Sequence, residues 1–103
     1  MAKKSASVAA PTSVAAGAGT STGDLVSAFV QVASIGVGTY QVQESFNGGT
    51  TWINKGSALT ADGAVAIDDA ANAVRLNCTA YTSGTPSAVV SGLQTSQYPS
   101  AVS

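Results

Sequence analysis

Few side chains in this sequence can do chemistry, and their spacing restricts them further. Of 103 residues only 9% are charged, the formal net charge is −1, and histidine is absent. Without histidine the commonest general base and the commonest metal ligand are both missing. The acids are Asp24, Glu44, Asp62, Asp68 and Asp69. Asp68 and Asp69 offer the oxygen chemistry that calcium prefers, but no D-x-D-x-D loop surrounds them. Nor do five scattered acids make the facing pair that glycoside hydrolysis needs. Lys3, Lys4, Lys55 and Arg75 form no basic run, and Gly36 with Gly38 lacks the helix and lysine of a phosphate loop. A nucleic-acid partner is therefore not expected. Cys78 is the single cysteine, which rules out an internal disulfide and a thiolate metal cage. Within the strand-like run 74–81 it reads as a small buried hydrophobe, not a nucleophile. No catalytic residue, metal ligand or cofactor site is expected, and an enzyme reading is close to excluded.

The most organised pattern lies in YQVQESFNGGTTWINKGS, residues 40–57. Tyr40, Val42, Glu44 and Phe46 alternate with Thr39, Gln41, Gln43 and Ser45, as in a half-buried strand. Asn47, Gly48 and Gly49 tolerate positive φ, so a tight turn into a second strand is expected there. The Asn47 side chain can accept a hydrogen bond from the backbone N–H two residues on. Ser45, Asn47, Gly49, Thr51 and Trp52 also fit the S-x-D-x-G-x-T-W pattern of the Asp-box hairpin, with Asn in place of Asp. That motif is chiefly a device for stiffening a hairpin. It occurs once here, without the repeats or the arginine cluster of a sialidase propeller. Trp52, the only tryptophan, is expected to fold over the hairpin into the core. Such burial removes roughly 150–250 Å² from water, on the order of 4–6 kcal/mol before ordering costs. An exposed sugar-stacking platform is the alternative.

The elements that must position this hairpin are short strands. Val26, Ala28, Val30 and Val32 alternate with Ser27, Phe29, Gln31 and Ala33. Residues 35–38 read as a turn, 58–60 as a short run, Asp62–Gly63 as a hairpin signal and 64–67 as the returning strand. Residues 68–72 connect to the longest β run, 73–82; residues 83–86 then turn into 87–93, a further hairpin. Turn residues every 8–12 positions indicate an all-β domain, a small antiparallel β-sandwich of jelly-roll or immunoglobulin-like type. Three zones follow: a flexible Ala/Ser/Thr/Gly-rich arm over residues 1–23, the sandwich over 24–94 and a polar tail over 95–103. The large apolar residues are sparse and mostly valine, so help from self-association or a partner surface is expected. The arm could order by adding a strand to a neighbour's sheet edge, with Val8 and Val14 as weak anchors and Lys3 and Lys4 meeting an acidic surface. MAKKSASVAAP lacks a signal-peptide apolar core, and no segment approaches the roughly 20 apolar residues that span a membrane. Synthesis and retention in a cytoplasm are expected, unless the chain leaves inside a larger particle.

The order of Y-Q-V-Q-x-S-x-N-G-G-T-x-W (residues 40–52), x-G-x-A-L-T-A-x-G (55–63) and V-R-L-N-x-T-A-Y-T-S-G-T (74–85) resembles small virion proteins of tailed bacteriophages. The resemblance covers about residues 27–92. It implies a decoration or cement protein on the head, binding the major capsid protein as a homo-oligomer, with a trimer favoured. A domain of a tail or head fibre, and a carbohydrate-binding module using Trp52 or Tyr40, are the competing readings.

Overall fold

The computed structural model describes residues 3–22, 25–67 and 71–94; burial alternates with period 2 over 27–33, 63–67 and 87–90, whereas the consecutive residues Tyr40, Gln41 and Val42 are all buried. The described residues form nine strands and no helix: β1 (Lys3–Val8), β2 (Ala15–Ala16), β3 (Thr20–Ser21), β4 (Leu25–Ala33), β5 (Val37–Ser45), β6 (Ile53–Asn54), β7 (Gly63–Ile67), β8 (Ala73–Ser83) and β9 (Ser87–Gln94). One sheet has the order β1-β9-β4-β7; the other runs β2-β8-β5-β6, with β3 also on β8. Every pairing is antiparallel. The chain is a small all-β sandwich.

Ala28, Val30 and Val32 of β4 and Ala88 and Val90 of β9 point inward from the first sheet. Tyr40 and Val42 of β5 and Val74, Leu76 and Cys78 of β8 meet them from the second. The Cys78 thiol is buried and directed at the Ala80 carbonyl, 3.3 Å away, as a small core group would be. Among the described residues Tyr40 is the largest fully buried side chain.

The two sheets are joined by one folded ribbon. β4 pairs with β9 in the first sheet and β5 with β8 in the second. Register is kept through the fold: Ala33 faces Ser87 on one side, and Val37 faces Ser83 on the other. Between them the connections 34–36 and 84–86 lie against each other. Gly36 has φ 69° and Gly84 φ 117°, conformations that favour glycine. A Cβ on Gly36 would stand 2.8 Å from Gly84 Cα, and one on Gly84 2.6 Å from the Ile35 carbonyl oxygen. Ile35 is buried at this corner, and its N–H donates to Asp62 Oδ1 at 3.1 Å. The turn expected at 83–86 is therefore a passage between sheets, and β8 and β9 are not a hairpin. The run 58–60 is also not a strand; it contributes only a bridge from Leu59 to Tyr40. Asp62 serves the corner instead of a hairpin, and residues 55–62 carry the chain across to β7.

The largest correction concerns residues 1–23. Of these, 3–22 are woven into both sheets. β1 pairs with β9 over six positions, from Lys3 opposite Leu93 to Val8 opposite Ala88. β2 and β3 dock on β8. Side chains reinforce the weave. The Tyr40 hydroxyl donates to the Pro11 carbonyl at 2.6 Å, Thr20 Oγ1 to the Ser7 carbonyl at 3.0 Å, and Thr22 Oγ1 to the Ala71 carbonyl at 3.1 Å. Edge strands are held by main-chain bonds, so small residues suffice and a strong apolar period is unnecessary. The expected tail, 95–103, lies outside the described residues.

Two outcomes follow. Gly84→Ala should cost at least about 2 kcal/mol through backbone strain and overpacking. Gly48→Ala, at φ 74° with nothing within 4 Å of the added Cβ, should cost about 1 kcal/mol. Thermal unfolding of the two variants checks this, and equal midpoints would remove the corner from its central place. The Tyr40 hydroxyl is pushed up to about 12 by burial and then by the neighbouring Cys78 thiol and Tyr81. Its contribution is complete below pH about 10, the ordinary tyrosine value, and is lost as pH rises toward 12 because the unfolded chain ionises first. Tyr40→Phe should lower stability at neutral pH by about 1 kcal/mol and flatten this alkaline loss. An unchanged alkaline slope in denaturant titrations would assign the loss to another group.

Candidate functional site

The motif residues lie where β5 leaves the second sheet. Ser45, fully buried, ends the strand and turns its hydroxyl into the following loop. Its Oγ accepts from Gly49 N–H at 2.8 Å and Asn47 N–H at 3.3 Å, and donates to Asn47 Oδ1 at 2.8 Å. Asn47 Oδ1 accepts in turn from Thr51 N–H at 2.9 Å. The expected bond from Asn47 to the N–H two residues on is thus replaced. Serine serves the near amides, and asparagine reaches four residues ahead.

Gly48 and Gly49 take positive φ, at 74° and 96°, as the sequence requires. The connection runs over 46–52, longer than a tight turn, and the returning strand β6 has only two residues. Asn72, which the sequence reading passed over, clamps the loop from outside. Its Oδ1 accepts from Gly48 N–H at 3.0 Å, and its own N–H donates to the Ser45 carbonyl at 2.8 Å. Nothing local in the sequence marks Asn72, because its role depends on β8 lying beside β5.

Trp52 does not enter the core. The indole is half-buried and lies across the outer face of the second sheet. The guanidinium carbon of Arg75 stands 4.6 Å from its ring centroid, a cation–π distance. Gly19 packs on its rim, where a Cβ would come within 2.9 Å of Cη2. Arg75 Nε donates to Gln43 Oε1 at 2.7 Å, and Gln43 Nε2 donates to Asn54 Oδ1 at 2.9 Å. Gln43 and Arg75 are direct cross-strand partners. Trp52, Arg75, Asn72 and the segments 17–19 and 48–49 enclose an open cleft of about 560 Å³. On the other side of the loop, Glu44, Phe46 and Ile53 border a shallow depression of about 170 Å³.

The four expected partner contacts separate. Lys3 and Lys4 begin β1, opposite Leu93 and Gly92, and Lys4 is exposed. Val8 is 3% exposed and belongs to the core, so it is not available as a docking anchor. Val14 is 67% exposed on the connection before β2. Asp68 and Asp69 lie outside the described residues; among the described residues no three metal-ligating side chains gather.

The first sheet presents a different surface. Phe29, Val89 and Leu93 point outward and are 52%, 38% and 36% exposed. The register places Ser5, Ser91, Phe29 and Ala66 in one row across the four strands, and Ser7, Val89, Gln31 and Ala64 in the next. Among the described residues the middle of this face carries no charged side chain. The opposite sheet is overlaid by the chain itself: Gln41 Nε2 donates to the Lys55 and Gly56 carbonyls, both at 3.2 Å, while Trp52 covers Arg75.

Asn47→Ala should cost about 1–2 kcal/mol by leaving the Thr51 amide and the Ser45 hydroxyl without their partner. Asn47→Asp, restoring the acceptor of the parent motif, should retain wild-type stability within about 0.5 kcal/mol. Thermal unfolding checks both, and an Ala variant as stable as wild type would deny the loop its stiffening role. No family model, curated protein or solved structure matches the chain.

Proposed function

We propose that this chain is a structural virion protein that decorates a phage head, a cement bound to the outer surface of the shell through the major capsid protein. The observation that carries the reading is the outer face of the first sheet, exposed among the described residues. Among the same described residues it is uncharged at its centre and mixed in character, with Phe29, Val89 and Leu93 among Ser5, Ser7, Ser91 and Gln31. Such a surface suits a hydrogen-bonded and apolar contact better than a charge-steered one.

Its size also bears on the role. Four strands about 4.8 Å apart and some seven residues long span roughly 450 Å². That is about half of what one partner contributes to a standard interface. A single copy would be held weakly, whereas a group of copies, as in a trimer, would be held durably on a repeating lattice. The resemblance of residues 40–52, 55–63 and 74–85 to small phage virion proteins supports the same reading. The protein would be made in the host cytoplasm and reside on the virion. The proposed contact moves from the terminal arm to this face, because residues 3–22 build the sandwich and Val8 is buried within it. For that reason truncation before Gly23 is a poor test; it would remove three strands.

The test is the double variant Phe29→Glu, Val89→Lys. Both side chains point to solvent, so its unfolding midpoint should stay near that of wild type. Its occupancy on purified capsids, measured by co-sedimentation, should fall at least about tenfold, the equivalent of about 1.4 kcal/mol. Full occupancy by the folded variant would reject this face as the contact.

A further inference from the structure

The cleft beside Trp52 lies on the opposite sheet from the proposed shell contact and is not needed for it. Its chemistry is specific. The Arg75 guanidinium is held on two sides, by the indole at 4.6 Å and by Gln43 Oε1 at 2.7 Å. Gln43 is fixed in turn by Asn54. The cation is therefore oriented before any ligand arrives. Its Nε–H is used, but the two terminal amino groups, the Nη atoms, have no acceptor among the described residues. Among the described residues no acidic side chain lines the cleft. Gly19, Gly48 and Gly49 line the cleft beside the small residues Ala18 and Ser21, which leaves backbone in its walls. The volume of about 560 Å³ lies in the range of small-molecule sites.

We infer that this cleft binds an acidic saccharide, a sugar ring carrying a carboxylate. The carboxylate takes two parallel hydrogen bonds from the Arg75 Nη groups, and the C–H surface of the ring lies against the indole edge and the glycine walls. A planar guanidinium already stacked on an aromatic ring is suited to bidentate carboxylate recognition and loses little freedom on binding. A neutral sugar would leave the cation without an opposite charge. A small inorganic anion would leave the aromatic wall unused.

The experiment uses the full chain and its single tryptophan, whose emission reports on the cleft directly. A trigalacturonate titration should give a saturable change. The neutral galactose trisaccharide and sodium acetate should each bind at least about tenfold more weakly. Arg75→Lys keeps the charge but loses the fork, and should also weaken trigalacturonate binding about tenfold or more. The sugar comparison in the wild-type protein stands by itself should an Arg75 variant disturb the sheet. Equal affinity for neutral and acidic trisaccharides overturns the proposal. So does wild-type affinity in a folded Arg75→Lys variant, tighter binding of a glutamate-rich peptide, or no saturable change at millimolar trigalacturonate.

Discussion

The close approach of Gly36 and Gly84 is the constraint on which this fold rests. Two paired strands leave one sheet and enter the other together, and at the crossing their backbones come too close for any side chain. At the crossing the register continues from Ala33–Ser87 to Val37–Ser83, and two irregularities, at Val37/Gly38 and Thr39/Tyr40, then shift it along β5 and β8. The crossing brings the inward faces of the two sheets opposite each other. Val30 and Val90 meet the layer of Tyr40, Val42, Leu76 and Cys78 as a consequence of where the ribbon bends. The short strands β1, β2, β3, β6 and β7 are additions to the edges of that folded ribbon.

The two outer faces then diverge because the loops fall on one side. Residues 17–19, 46–52 and 55–56 all close over the second sheet, where they bury Gln41 and half-bury Trp52. The Ser45–Asn47 network stiffens one of these loops, and Asn72 ties it to the neighbouring strand. Among the described residues nothing comparable covers the first sheet. One small domain thus carries a sheltered, polar, arginine-bearing cleft and, on its other side, an open face with little charge.

What could be read from the sequence was whatever depends on neighbours along the chain. Alternation identified β4 and β5 and the burial of Ala28, Val30, Val32, Tyr40 and Val42. However, Phe46, of the same alternating set, lies beyond β5 and is exposed, whereas Gln41 and Ser45 are buried. The positive φ of Gly48 and Gly49 followed from residue type. The turn residues at 83–86 marked a change of direction, but glycine and proline do not say whether the next strand stays in the same sheet. A hairpin was therefore read where a crossing exists. Residues 1–23 looked like an arm because edge strands of alanine, serine and threonine need only main-chain partners. The cleft was hidden for a related reason. Gln43 and Arg75 are 32 positions apart and become neighbours only through register. Trp52, placed in the core on grounds of size, instead finds its partner in that arginine.

The pairing of β1 with β9 has a consequence for how the molecule is made. The first strand cannot find its partner until the last has left the ribosome, and β4 also waits for β9. Among the described strand pairings only that of β5 with β6 is local in the chain. A topology so dominated by distant pairings folds on the millisecond-to-second scale instead of in microseconds. The nascent polypeptide must therefore stay unaggregated with its valine-rich segments exposed until synthesis of the sandwich is complete. Its many serines, threonines and glycines, a weakness for core building, serve it during that interval by keeping sticky stretches short.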